Sequence, residues 1–134
     1  MPLVSRKGIL AIAAVVDVAI HAQAGPVSAK ALASRHKLPP RHLEPVLQAL
    51  VRDGLLKGVR GPHGGYELAR ERKRITVEDI LRAAGSVEDS SDPPVPASAL
   101  VNDVVRPALA EAERIFSGAL ARVNIDDLAK QALK

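Results

Sequence analysis

The sequence predicts a mainly α-helical fold with one small β-hairpin, and three observations support that prediction. A chain of 134 residues with 47% hydrophobic content can bury one core and carry an appendage. With no Trp, one Phe and one Tyr, that core must be built from Ala, Val, Leu and Ile, which suit interlocking helices. Residues 43–69 join an amphipathic helical pattern to a glycine-rich turn between two short apolar runs.

Two helices are predicted in the first 36 residues. Residues 3–22 carry apolar side chains at spacings of three and four, which predicts a helix with a buried stripe. The stripe consists of Ile9, Ile12, Val16, Ala19 and Ile20. Gly25 and Pro26 interrupt this pattern. Ser28 then offers an N-cap oxygen to a short second helix over residues 29–36.

A third helix is predicted to follow a tight turn at residues 37–39, with Pro40 as its first residue. Its apolar residues fall on one face and are Leu43, Val46, Leu47, Leu50 and Val51. Pro45 removes a backbone donor inside the helix, so we expect a kink or an uneven start there. Gly54 suits the left-handed residue that ends a helix.

Two short strands are predicted next, over residues 56–59 and 66–69. The segment between them reads RGPHGG, a composition typical of a hairpin tip with unusual backbone angles. Helix, tight turn, helix and basic hairpin in this order indicate a winged helix-turn-helix. In such a motif the second helix enters the major groove of DNA, and the wing meets an adjacent groove or phosphate.

A fourth helix is predicted after the hairpin. Residues 71–74 form a charge run that we expect to be solvated. Thr76 and Asp79 can form a capping box for a helix over residues 77–84, which Gly85 would end.

The last third of the chain predicts a linker and a dimerisation helix. Residues 86–98 are rich in Ser, Asp and Pro, whereas residues 99–123 form a long amphipathic pattern. Its apolar band is too wide for a lone surface helix, so we expect contact with another subunit. The predicted dimerisation residues are Val101, Val105, Leu109, Ala112, Ile115, Phe116, Ala119 and Leu120. The predicted organisation is a winged helix-turn-helix domain at 1–85, a linker at 86–98, and a dimerisation helix with one capped C-terminal turn at 99–134.

The charge of the chain is unevenly distributed. Residues 1–85 hold 14 Lys or Arg against 7 Asp or Glu, and residues 86–134 hold 5 against 8. The basic part carries the helix-turn-helix pattern, as expected if it meets a polyanion, although charge alone is equally compatible with a basic solvated surface. Arg6, Lys7 and Asp17 interrupt the apolar N-terminal segment, so we predict a cytoplasmic protein with no membrane span.

The hairpin and its flanks resemble a known family. Residues 59–70, VRGPHGGYELAR, resemble the wing of the Rrf2 family of bacterial transcription regulators. Further similarity lies at residues 26–28, 43–44, 76–81 and 126–129, so the resemblance covers nearly the whole chain. It implies a homodimer in which long helices near the carboxy terminus cross and present two winged helix-turn-helix units to a palindromic operator.

The same resemblance implies which residues face DNA. The candidates are Ser28, Arg41, His42, Glu44, Arg60, Gly61 and His63. Arg41 can read guanine bidentately, Ser28 can hydrogen-bond a phosphate, and Arg60 can enter a narrow minor groove. Gly64 and Gly65 are interpreted as turn formers, and Tyr66 as a core or strand-pair anchor.

Many members of this family hold an iron–sulfur cluster on three cysteines in the loop that corresponds to residues 86–98. The sequence contains no cysteine, which excludes disulfides and any thiolate-ligated metal centre in this chain. We therefore predict no cofactor. The chain resembles family members that lack the cluster and respond to small molecules or partner proteins.

These observations predict a sequence-specific DNA-binding transcription regulator, with repression favoured, that acts as a homodimer. The alternative is a winged-helix protein-interaction module that conveys a signal through a partner protein. Arg41, Arg60 and the basic balance favour DNA over that alternative. No enzyme is predicted, because the four His show no metal-ligand spacing and neither a Ser/His/Asp grouping nor a Walker-type loop is present.

Overall fold

The computed structural model describes residues 5–37, 39–85 and 98–133. These residues form six α-helices and one two-stranded antiparallel sheet, which confirms the predicted fold class. In chain order the elements are α1 (Arg6–Ile20), α2 (Ala29–Arg35), α3 (Pro40–Arg52), β1 (Leu56–Val59), β2 (Gly65–Leu68), α4 (Val77–Ala84), α5 (Arg106–Leu120) and α6 (Ile125–Ala132).

Helix α1 is the central element, because it packs against α3, α4, α6 and β2. Ser5 caps it, with its Oγ accepting a hydrogen bond from the Gly8 N–H at 3.0 Å. The buried side is centred on Ala11, Val15 and Val18. Our predicted stripe was wrong at Ile9, which is 54% exposed. Small Ala side chains form part of the real stripe, so the large apolar residues alone misplaced its centre.

Helix α3 begins at Pro40 and runs without a break through the exposed Pro45. Four residues of the predicted apolar face are buried, namely Leu43, Val46, Leu47 and Leu50. Val51 was predicted to share that face and is 37% exposed, whereas Ala49 is buried in its place. The helix ends at Arg52, and Gly54 takes φ +77°, the left-handed conformation that we predicted.

The hairpin is tied to the start of α2. Its register pairs Leu56 with Leu68 and Val59 with Gly65, so β2 begins one residue earlier than predicted. Val27 forms an additional bridge to Tyr66: the Val27 N–H donates to the Tyr66 carbonyl at 2.9 Å, and the Tyr66 N–H donates back at 2.8 Å. Tyr66 is partly buried against the core, as a strand-pair anchor should be.

Helix α4 spans the eight residues that the sequence predicted, with the capping box in place. The Thr76 Oγ1 accepts from the Asp79 N–H at 3.1 Å, and the Asp79 carboxylate accepts from the Thr76 N–H at 3.2 Å. The length of the helix in the C-terminal segment was underestimated. We expected one capped turn, and the structure shows the eight-residue helix α6, capped by Asn124 and burying Ile125 and Ala129 completely.

Residues 75–77 and 123–125 pair with each other, which returns the C-terminal segment to the core. The Ile125 N–H donates to the Ile75 carbonyl and the Val77 N–H donates to the Val123 carbonyl, both at 2.9 Å. The charge run at residues 71–74 was predicted to be solvated throughout, and this was wrong for Arg72. Its Nε lies 3.4 Å from the carboxylate of Asp126, a residue in the first turn of α6 that is only 9% exposed.

Helix α5 is the exception to this packing, because none of its residues is buried. A π-helical segment, Val101–Val105, leads into it. Pro107 has no N–H for the carbonyl one turn earlier, which accounts for irregular helical bonding at this point. Most of the predicted linker, residues 86–97, lies outside the described residues. The three-part division of the chain stays a prediction.

Candidate nucleic-acid interface

Helix α3 presents a polar face near its N-terminus. Arg41, His42 and Glu44 are all exposed. Leu43 lies among them and points into the core, where it is 1% exposed. Because Leu43 and the buried residues one turn later fix the rotation of the helix, the polar side chains are held on the outer side.

Ser28 has a structural role as well as the predicted one. Its Oγ accepts a hydrogen bond from the Ala31 N–H at 3.0 Å and so caps α2. A hydroxyl that accepts in this way still has its own proton to donate. Ser28 can therefore cap the helix and hydrogen-bond an external acceptor at the same time.

The wing tip carries the remaining predicted contacts. Arg60, Gly61 and His63 are exposed there. Gly65 holds the tip close to the helix-turn-helix, since a Cβ at this position would lie 2.5 Å from the Val27 carbonyl carbon and oxygen. Any side chain at Gly65 would push the wing away from α2, so this glycine has a packing role in addition to its place beside the turn.

A buried charged cluster joins α1 to the end of α2, and the sequence reading missed it. Asp17 is only 5% exposed. Its carboxylate accepts two hydrogen bonds from Arg35, from Nε at 2.9 Å and from Nη2 at 2.6 Å. The His36 Nε2 lies 2.9 Å from the same carboxylate, and the His21 Nδ1 lies 3.2 Å from it.

The environment of Asp17 favours its charged form. Burial raises the pKa of the carboxyl group, but the hydrogen bonds from Arg35 and His36 outweigh burial and hold the pKa below its ordinary value. The signal available in the sequence was a charged residue in the middle of an apolar helical pattern. Arg35 and His36 lie 18 and 19 residues further along the chain, so spacing within one helix could not reveal them, whereas His21 lies at the i+4 position.

A hollow of about 480 Å³ lies between α2, the residues before it and the wing tip. Four side chains with polar groups line it, from His21, Ser28, Arg35 and His63, together with small or apolar residues. None of its lining residues is an Asp or Glu. Ser28 and His63 are predicted DNA contacts, whereas His21 and Arg35 were not on the predicted list.

The predicted dimerisation residues lie on the exposed outer helix. Val105, Leu109, Ala112, Ile115 and Ala119 are exposed, and the other three are half-buried. Those three are Val101, Phe116 and Leu120. Phe116 and Leu120 line a groove of about 340 Å³ against α4. The residues predicted to face DNA lie at the start of α2, on α3 and at the wing tip, whereas those predicted to form the dimer lie on α5 and the segment before it.

Comparison with known proteins decides the family. Residues 4–131 match the sequence profile of the Rrf2 family, described as an iron-dependent transcriptional regulator. The chain belongs to the Rrf2 family. It is 37% identical over 87 residues to the HTH-type transcriptional regulator IscR of Xenorhabdus nematophila, a match that covers 65% of this chain and 53% of that protein. The aligned part thus spans about half the length of that relative.

Solved structures of Rrf2 regulators have the same fold. The T. potens IscR superposes with a TM-score of 0.74 at 35% identity, covering 96% of this chain and 87% of that one. CymR, the global cysteine regulator of B. subtilis, superposes with a TM-score of 0.71 at 26% identity, covering 96% of each chain. The relatives are transcriptional regulators and not enzymes.

The iron dependence in the family description cannot rest on thiolate ligands from this Rrf2 chain. The sequence has no cysteine. Within residues 5–37, 39–85 and 98–133, no group of three or more His, Asp or Glu is placed to hold a metal ion. The same ranges contain no helix long and apolar enough to cross a membrane.

Proposed function

We propose that this protein is a sequence-specific DNA-binding repressor that acts as a homodimer on a palindromic operator. The observation that carries the proposal is the exposed polar face of α3 together with the exposed basic wing tip. Arg41 and His42 lie on that face, Arg60 and His63 lie at the tip, and the opposite side of α3 is buried. This is the geometry in which one helix enters the major groove while the wing reaches an adjacent groove or phosphate.

Each exposed group has a distinct task in this proposal. The Arg41 guanidinium reads O6 and N7 of a guanine, because its planar fork matches that pair of acceptors. Glu44 accepts from a cytosine amino group, and Arg60 enters the minor groove next to the half-site. The basic balance of residues 1–85 supplies the attraction to phosphate that is independent of sequence.

The homodimer rests on α5. Leu109 and Ile115 are 51% and 62% exposed, and Leu100 and Val104, in the helical segment before α5, are 65% and 58% exposed. Exposed apolar side chains along a whole helix are typical of an interface. A second copy of α5 would cover them by symmetry and place the two α3 helices at half-sites about 34 Å apart.

Regulation is proposed to proceed without a bound cofactor. A chain with no cysteine cannot supply thiolate ligands to an iron–sulfur cluster. The signal is then a small molecule or a partner protein that changes the arrangement of the two DNA-binding units.

Selection of bound duplexes from a random pool at low salt tests this function. We expect enrichment of an inverted repeat, and affinity for it should fall steeply as salt rises because phosphate contacts release counterions. Arg41→Ala should relax specificity at one base pair of each half-site. Lys130→Ala is the matched control, since Lys130 lies on α6 and pairs with Asp126. A pool without any enriched sequence would reject the proposal.

Repression has a separate readout. A reporter gene placed behind the selected operator should be silenced when the protein is produced and restored in the Arg41→Ala variant. Increased expression of the reporter with the wild-type protein would identify an activator instead.

A further inference from the structure

The hollow between α2 and the wing tip is lined by two polar side chains, those of His21 and Arg35, that are not among the DNA contacts implied by the family resemblance. We propose that this hollow binds one phosphate group of the DNA backbone, with Arg35 and His21 as DNA-contacting residues and Asp17 as the residue that positions them. The inference rests on the proposed DNA-binding function and adds residues to it.

Arg35 has a free donor group. Asp17 engages its Nε and Nη2. The guanidinium group is planar, so these two bonds fix the direction of the remaining nitrogen, Nη1. Within the described residues Nη1 has no hydrogen-bond partner, while Arg35 lines the hollow. A guanidinium group oriented in this way can donate a charge-assisted hydrogen bond to a phosphate oxygen.

His21 is oriented by the same carboxylate. Its Nδ1 lies 2.9 Å from the Asp17 carbonyl oxygen and 3.2 Å from the carboxylate. Both neighbours only accept, so the Nδ1 position carries the proton. The other ring nitrogen, Nε2, is available on a residue that lines the hollow. A ring with protons on both nitrogens would donate from Nε2 to a phosphate oxygen.

The Asp17 carboxylate does not oppose an anion in the hollow. A carboxylate offers about four lone-pair positions. Arg35 occupies two, and His36 and His21 approach the others. Neither Asp17 nor any other acidic residue is among the residues that line the hollow. The negative charge is therefore fully engaged on the buried side, and the open side presents donors.

The two walls of the hollow are held at a fixed separation. Ser28 belongs to the helix-turn-helix wall and His63 to the wing wall. The paired hydrogen bonds between Val27 and Tyr66 join these walls at the base. Ser28 and His63 are both predicted DNA contacts. A DNA backbone that runs past them brings a phosphate to the opening of the hollow.

The salt dependence of DNA affinity tests the proposal. Each lost phosphate contact lowers the slope of log K against log salt by about 0.9, so a dimer of Arg35→Gln should lose about 1.8. The loss of affinity should be equal on operator and random duplexes, since a phosphate carries no sequence information. Lys130→Gln is the matched control and should keep the wild-type slope, because Lys130 is an exposed cation on α6 that pairs with Asp126.

Two further variants separate contact from folding. His21→Gln removes the imidazole without taking the Arg35 partner from Asp17, and it should also reduce the slope. Asp17→Asn keeps Arg35 but loses the carboxylate that fixes it. If Asp17 acts only on stability, a folded Asp17→Asn sample keeps the wild-type slope. If Asp17 positions Arg35, the slope falls in samples whose circular dichroism shows them to be folded.

A thermal-shift experiment distinguishes a site for a DNA phosphate from a site for free phosphate. It compares the melting temperature in potassium phosphate with that in potassium chloride at equal ionic strength. Unchanged slopes in folded Arg35→Gln and His21→Gln overturn the inference while leaving DNA binding intact. If phosphate then stabilises only proteins that retain Arg35, the hollow is a site for a free anion, which also contradicts the DNA assignment. A wild-type protein that binds no DNA rejects the proposed function itself.

Discussion

Helices α1 and α5 have the same length of 15 residues and opposite surroundings. Seven residues of α1 are buried within the described part of the chain, and none of α5 is. Helix α1 has 11 Ala, Val, Leu or Ile among its 15 residues and α5 has eight Ala, Leu, Ile or Phe, so α5 is less apolar but still carries large apolar side chains. The difference shows that one helix completes the core of a single chain, whereas the other has a surface that a single chain leaves uncovered.

The largest difference between α1 and α5 is expected when the same charged side chain is introduced into each helix. Val15→Asp in α1 buries an unpaired carboxylate where the native side chain is 0% exposed. We expect a loss of about 4 kcal/mol or more in the free energy of unfolding, which is enough to unfold many domains. Urea denaturation followed by circular dichroism measures it. A folded variant with near wild-type stability would contradict the central role of α1.

Ile115→Asp is the matched substitution in α5. Because Ile115 is exposed in the single chain, the new carboxylate remains hydrated and the core is unchanged. We expect the wild-type circular dichroism spectrum together with loss of the dimer in light scattering. Unfolding of this variant would show that α5 contributes to the core after all.

Asp17→Asn sharpens the comparison, because it tests the one buried charge of α1. Loss of charged hydrogen bonds should cost about 1.5–3 kcal/mol in unfolding free energy at neutral pH. The folded pKa of Asp17 is lowered. Its contribution is therefore fully present above the unfolded pKa, about 3.9, and is lost as pH falls through the folded value. The difference between wild type and variant should shrink below about pH 4. A difference that stays constant as acid is added would contradict the assignment.

The smallest effect is expected at the cap of α4. Thr76→Ala removes the hydroxyl that accepts from the Asp79 N–H, at a cost of about 1 kcal/mol in unfolding free energy. Thermal denaturation measures it, and Thr76→Ser should retain most of the stability as a control. Equal losses in both variants would mean that the methyl group, and not the cap, matters here.

Local patterns in the sequence were sufficient for α3, α4 and the hairpin. Pro40, Thr76 and Gly54 act through neighbouring residues, so their spacing along the chain indicates their roles. The buried side of α1 was misplaced at Ile9, because the surrounding helices and not the residue type decide which side is covered. Helix α6 was missed as a helix, since its burial depends on pairing with residues 75–77 far away in the chain.

The residues of the candidate interface also include some that the sequence predicted and some that it did not. Arg41, Arg60 and His63 were predicted from the motif, and the structure places them at the surface. Their contacts with DNA stay predictions. His21 lies four residues after Asp17, a helical spacing that was visible in the sequence and was not used, whereas Arg35 could not be predicted because it lies 18 residues away. Ion pairs across 18 residues leave no periodic signal in a sequence.

The most direct test of the contrast between α1 and α5 is the mass of the purified protein by sedimentation equilibrium. The chain has a mass of 14.2 kDa. We predict twice this mass at micromolar concentration for the wild type and the single-chain mass for Ile115→Asp. A wild-type protein that sediments at 14.2 kDa would contradict the assignment of α5 as a surface for a second copy.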